Sequence, residues 1–180
     1  MELSKQREGG LSVATPSVGT VMHMIMELLA AESGAGLVHV PYQGGAPALA
    51  DVTTGGVPPM LDPWHSSRPQ VEAGRLRVIA ASSSVPVPGA PEIPLMKAEY
   101  PAVSAFSVIG PVAPSGTPVA VVGKAQQDVR AVVHDPDMAA RMAEMGLEPV
   151  GSAPAEFARL VETEISRWQG VVQARHIQPM

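Results

Sequence analysis

Two short apolar runs, each ending in a glycine-bearing turn that opens a helical pattern, follow one another near the start of this sequence. Leu11-Ser12-Val13-Ala14-Thr15 reads as a strand, residues 16–19 as a tight turn, and residues 20–32 as a helix stopped by Gly34. The unit then repeats, with a strand at 37–41, a turn at Tyr42-Gln43-Gly44-Gly45, and a helix from about Ala46 to Thr54 with Pro47 in its first turn. Strand, turn and helix repeated at this spacing indicate βα units around a mainly parallel sheet, hence an α/β fold. The first helix carries Met22, Met24, Ile25, Met26, Leu28 and Leu29 on most of its sides and is expected to be largely buried.

The same pattern predicts a third strand at 57–61 with Asp62 at its end, a short helix at 67–73 and a strand at 75–81. Pro86, Pro88, Pro91 and Pro94 then break the pattern, so 82–101 is expected to be a surface connection with little regular structure. An apolar strand is expected at 103–113, and Thr117-Pro118 opens a helix to about His134 with Thr117 as its cap and Pro118 first. Asp135-Pro136 repeats that start signal for a helix ending at Gly146, and 147–150 is short enough for a strand. In the last helix, Phe157, Leu160, Val161, Ile165, Trp168, Val171 and Val172 recur on one face, which is expected to pack, with Trp168 in the core.

Composition excludes several functions. With 12 Lys and Arg, a net charge of −5 and no basic stripe, the chain is not expected to bind nucleic acid. The absence of cysteine removes disulfides, thiolate metal sites and a thiol nucleophile. Five histidines, at 23, 39, 65, 134 and 176, show no metal-ligand spacing. No nucleophile elbow, phosphate loop or dinucleotide fingerprint occurs, so neither an enzyme nor a cofactor is expected. Glu144, Glu148, Glu162 and Glu164 read as solvated charge. Residues 1–10 contain no apolar h-region, so no signal peptide is read there.

The twin turns are where chemistry is expected. Helix N-termini carry unpaired N–H groups and the positive end of the macrodipole, and in open α/β sheets ligands gather beyond the carboxyl ends of strands. Gly19 would allow close approach, Ser17 and Thr20 would add hydroxyls, and Gly44 and Gly45 would allow the second turn, with Gln43 offering an amide. Asp62 would face the same crevice and accept from a ligand hydroxyl or amine, although it could equally be a strand-end turn residue. His23 could reach the site or be a hydrogen-bonded core residue.

Several strings here resemble the receptors of tripartite tricarboxylate transporters, the Bug family of periplasmic solute-binding proteins. They are ATPSVGTVMH at 14–23 with Glu27, VHVPYQGGAPA at 38–48, MLD at 60–62, APSGTP at 113–118 and GLEPVG at 146–151. The likeness spans nearly the whole chain, and the second string is its most specific part. It implies a type II periplasmic binding protein-like fold, a Venus flytrap of two lobes closing on a small carboxylate such as a di- or tricarboxylate or acidic amino acid. It implies one complete lobe here plus the C-terminal part of the other: 1–10 a leader segment, 11–107 lobe two, and 108–180 the C-terminal part of lobe one. Implied partners are the carboxylate and membrane transporter subunits, and the implied location is the periplasm. The expected ligand-binding set is Ser17, Gly19, Thr20, His23, Gln43, Gly44, Gly45, Ala46 and Asp62. Ser17 and Val108 depart from the glycine and tryptophan common in the family, and Pro63-Trp64-His65 crowds Asp62. The alternative expectation is a truncated, non-binding structural or interaction protein that self-associates through uncovered apolar surface.

Overall fold

The computed structural model describes Ser4 and residues 9–177. Strand β1 (Leu11–Thr15) runs parallel to β2 (Leu37–Pro41), in a register pairing Leu11 with Leu37 and Thr15 with Pro41. Helix α1 (Val21–Ser33) makes the crossover. Thr20 caps its start by accepting from the His23 N–H at 3.4 Å, and Gly34 ends it in the left-handed conformation. Its expected burial holds for His23, Met24, Ile25, Met26 and Ala30. Helix α2 (Gly45–Thr54) follows the second turn and lays Ala48 and Val52 against β1, in a cluster with Ala14 and Val57.

The expected third strand shrinks to one parallel bridge, Met60 to Ala14, made by Ala14 N–H to Pro59 O and Leu61 N–H to Ala14 O, each 3.0 Å. Pro58 and Pro59 bring no N–H, so the ladder cannot extend backwards. Helix α3 (Trp64–Glu72) starts three residues earlier than expected and tolerates Pro69. The expected strands at 75–81, 103–113 and 147–150 do not form among the described residues, apart from a bridge between Ala81 and Leu95. An apolar pattern supplies a side-chain face, but a strand also needs a neighbouring backbone, and residues 106–113 show no backbone hydrogen bond among the described residues.

The connection at 82–101 is irregular, with a 3₁₀ turn at Met96–Ala98, yet it is no mere surface run: Val87, Ala90 and Ile93 are buried together against Trp64. Three helices close the chain: α4 (Val119–Val133), α5 (Pro136–Glu144) and α6 (Pro154–Ala174). Asp135 caps α5 as expected, accepting from the N–H groups of Asp137 and Met138. At α4 the cap position falls on Pro118, and Thr117 instead donates its hydroxyl to Pro114 O at 2.8 Å.

Among the described residues none after Ala105 is buried. The apolar face of α6 is therefore only partly covered, with Ile165 52% exposed, and Trp168 is half-buried against Ile25, Val103 and Ala105 rather than fully in the core. Ile109 and Val112 are 78% and 91% exposed. A cleft of about 2560 Å³ opens between this C-terminal section and the rest, lined by Ile79, Phe106, Ile109, Val121 and Phe157 and reaching Asp62.

Candidate functional site

Parallel pairing of β1 with β2 puts both strand-to-helix turns at one end of the sheet, and hydrogen bonds join them. Tyr42 N–H donates to Thr15 O at 3.1 Å and Gly44 N–H to Pro16 O at 2.8 Å. Gly44 adopts φ 112°, a region closed to residues with a Cβ, so glycine is required for the second turn to reach the first. Ser17, Gly19, Thr20, Gln43, Gly44, Gly45 and Ala46 thus come together.

The available donors differ from those the glycines suggested. Gly19 N–H is taken by His23 Nδ1 at 3.2 Å, and Gly44 N–H by Pro16. Thr20 spends its hydroxyl on Ser17 O at 2.9 Å. What remains at the start of α2 are the N–H groups of Gly45 and Ala46, since Pro47 has none and Ala48 is the first residue deep enough for an intrahelical bond. The exposed Gln43 side chain and the Ser17 hydroxyl make no hydrogen bond among the described residues.

Asp62 stands against this second turn. A Cβ built on Gly45 would lie 3.4 Å from Asp62 Oδ1 and 3.9 Å from Ser66 Oγ, ordinary contact distances that place the carboxylate beside the α2 N-terminus. Both Asp62 oxygens are buried without a hydrogen-bond partner. Burial pushes the Asp62 pKa up, against weaker opposing effects of the Ser66 hydroxyl, the His65 charge and the Ser67 hydroxyl. Those hydroxyls are near, but neither meets ordinary hydrogen-bond geometry with the carboxylate, so we regard it as under-satisfied. The large cleft is lined by Asp62, Trp64, His65 and Ser67 but by neither glycine turn, so Asp62 is the residue shared between cleft and turns.

His23 lies elsewhere. It is 5% exposed, beneath the first turn rather than in the crevice, stacked on His39. Sequence reasoning missed His39, Thr15 and Arg175, which form a network around it. His39 Nε2 contacts Thr15 Oγ1 at 2.6 Å, and Arg175 pairs with Glu27 at 2.6 Å. The register that sets His39 opposite Val13 was the available signal. Trp64, read from the sequence only as crowding Asp62, packs on Gly146, and Arg68 donates to the Glu144 carbonyl, so α3 is clasped to the end of α5. No cluster of metal-ligating side chains occurs among the described residues.

The fold and the quoted strings meet in a family model. Residues 1–177 match the tripartite tricarboxylate transporter family receptor. The chain belongs to that family. A relative in the tcbD-tcbE intergenic region of Pseudomonas sp. strain P51 is 33% identical over 175 residues, covering 96% of this chain and 52% of the relative. An R. palustris protein solved with adipate superposes with TM-score 0.90 at 30% identity, covering 99% of this chain and 60% of that one. MatC from Rhodopseudomonas palustris, solved with bound malate, gives TM-score 0.74 at 28% identity over 90% of this chain and 56% of that one. The family's type II periplasmic binding protein-like fold is therefore the fold here, and the chain spans about half to three-fifths of the length of these receptors.

Proposed function

We propose that this chain is the ligand-binding lobe of a solute receptor for small dicarboxylates, with no catalytic role. The observation that carries it is the hydrogen-bonded joining of the two strand-to-helix turns at one end of the sheet, which brings two helix N-termini, with their N–H donors and dipole ends, to the same end. Gly45 and Ala46 N–H, the Ser17 hydroxyl and the Gln43 amide are the donors to one ligand carboxylate. Asp62 accepts from a ligand hydroxyl, or donates when protonated, and so selects among acids rather than driving affinity. Adipate and malate in the neighbouring structures support a dicarboxylate class. Lobe two spans 11–107 and 108–180 belongs to lobe one, a division supported by burial that ends at Ala105. Delivery to membrane transporter subunits and residence in the periplasm belong to the same reading.

A thermal-shift titration with adipate and malate tests it, since ligand at ~100 times Kd adds about 2.7 kcal/mol of stability. A shift with either acid supports the site; none with either, at millimolar concentrations, overturns it. The exposed Ile109 and Val112, on a stretch with unpaired backbone, favour a second reading in which this section pairs with another polypeptide or another copy. Light scattering reads that directly.

A further inference from the structure

Beneath the first turn lies a pair of groups that anion binding does not itself use. His23 from α1 and His39 from β2 stack with ring centroids 3.8 Å apart and planes 11° apart. Each ring holds one part of the turn. Gly19 N–H donates to His23 Nδ1, and a nitrogen that accepts carries no proton, so the His23 proton sits on Nε2, 3.6 Å from Glu27 Oε1. Thr15 donates its single hydroxyl proton to Ser17 O at 3.2 Å, so in the 2.6 Å contact between Thr15 Oγ1 and His39 Nε2 the imidazole is the donor. Thr20 donates to the same Ser17 carbonyl. That carbonyl is therefore turned inward onto two hydroxyls, one of them on the fully buried Thr15. Because the peptide is trans, the Val18 N–H points the opposite way, out of the turn.

We propose that the His23–His39 stack is the positioning device of the anion site, holding the Ser17–Val18 peptide so that Val18 N–H is presented to the bound carboxylate. The inference rests on the ligand reading above and deepens it by adding a donor and the residues that aim it. Neither ring touches the ligand; both act through the backbone of the turn. The arrangement requires neutral rings. A second proton on His23 would turn the acceptor of Gly19 N–H into a donor, and two stacked imidazolium rings would repel. Burial lowers the pKa of His23, opposed by the charge and hydrogen bonding of Glu27. Burial first, and the charge of His23 second, lower His39 to about 4, again opposed by Glu27. The charged groups around the stack are few. Glu27 on α1 is held by Arg175 beyond α6, β1 contributes no titratable side chain, and Glu164 and Arg167 of α6 pair with each other at 3.8 Å.

The test compares the wild type with His23→Asn and His23→Leu. Asn Oδ1 occupies the place of Nδ1 and accepts from Gly19 without titrating, whereas Leu cannot accept. Titrated with adipate near neutral pH, His23→Leu is expected to bind about tenfold more weakly, and His23→Asn within about twofold of the wild type. On lowering the pH from about 7 to about 4, through the lowered range of both rings, the wild type should lose affinity relative to His23→Asn, a ratio in which the ionisation of adipate cancels. In the ligand-free protein, the Gly19 amide resonance should move with pH in the wild type and stay put in His23→Asn. A group that merely supports folding would shift stability and leave the two pH profiles parallel. Equal affinity of His23→Leu and wild type, or identical pH profiles for wild type and His23→Asn, would overturn the proposal. If adipate binds none of the three proteins, the ligand reading fails on its own, and a Gly19 amide insensitive to pH in the wild type still rejects the positioning role.

Discussion

Replacing Gly146 by alanine tests the clasp that holds the segment after Asp62. Gly146 follows α5 at φ 70°, and a Cβ there would stand 2.5 Å from Trp64 Cδ1. Two costs follow. Left-handed backbone costs a residue with a Cβ about 1–2 kcal/mol. Forcing a methyl into occupied space costs about 1–3 kcal/mol more, because relieving the overlap moves the indole off Val87, Ala90 and Ile93. Gly146→Ala should therefore lose about 2–5 kcal/mol, a large share of the roughly 5–15 kcal/mol that holds a domain together. In a Trp64→Ala background only the backbone cost remains, so the double-mutant cycle should show a coupling of about 1–3 kcal/mol. Urea denaturation supplies the numbers, with a shifted midpoint at unchanged slope marking a true stability change. Equal losses in both backgrounds would refute the contact and the argument built on it.

Three further outcomes are expected. Because the folded-state pKa of His39 lies near 4, below its ordinary 6.5, the folded protein binds fewer protons in that window, and stability should fall as pH drops through it. Partial exposure of the ring screens the effect to about 1–2 kcal/mol, and denaturant midpoints that stay level between those pH values would contradict it. Asp62 has the opposite sign: its raised pKa makes the charged form a burden above the usual 3.8, so Asp62→Asn should raise Tm at neutral pH, with the gain vanishing below that value. The same variant should alter the preference between malate and adipate, read by thermal shift. Asp135→Ala removes the cap of α5 and should cost about 1 kcal/mol, with Asp135→Asn retaining most of it in thermal unfolding.

Much of the site was legible because its parts are local. Asp135 caps the helix that follows it and Gly34 ends the first helix, since each device spans only a few residues. The convergence of Ser17, Gly44 and Asp62 on one end followed from parallel strand order. The donors were less legible: the Gly19 and Gly44 N–H groups are consumed by His23 and Pro16, partners chosen by the close approach of the turns. Strand extents failed most at 75–81, 103–113 and 147–150, where apolar residues occur without a paired backbone.

By itself the sequence determined the two βα units, the glycine that ends the first helix and the family, because periodicity and glycine conformations act over a single turn of chain. Only the tertiary structure decided that His23 lies beneath its turn with His39, that Asp62 stands beside Gly45 at the α2 N-terminus, and that residues beyond Ala105 leave their apolar faces uncovered. Those outcomes depend on which surfaces meet across dozens of residues. Burial and hydrogen-bond satisfaction are properties of such meetings and not of any one segment.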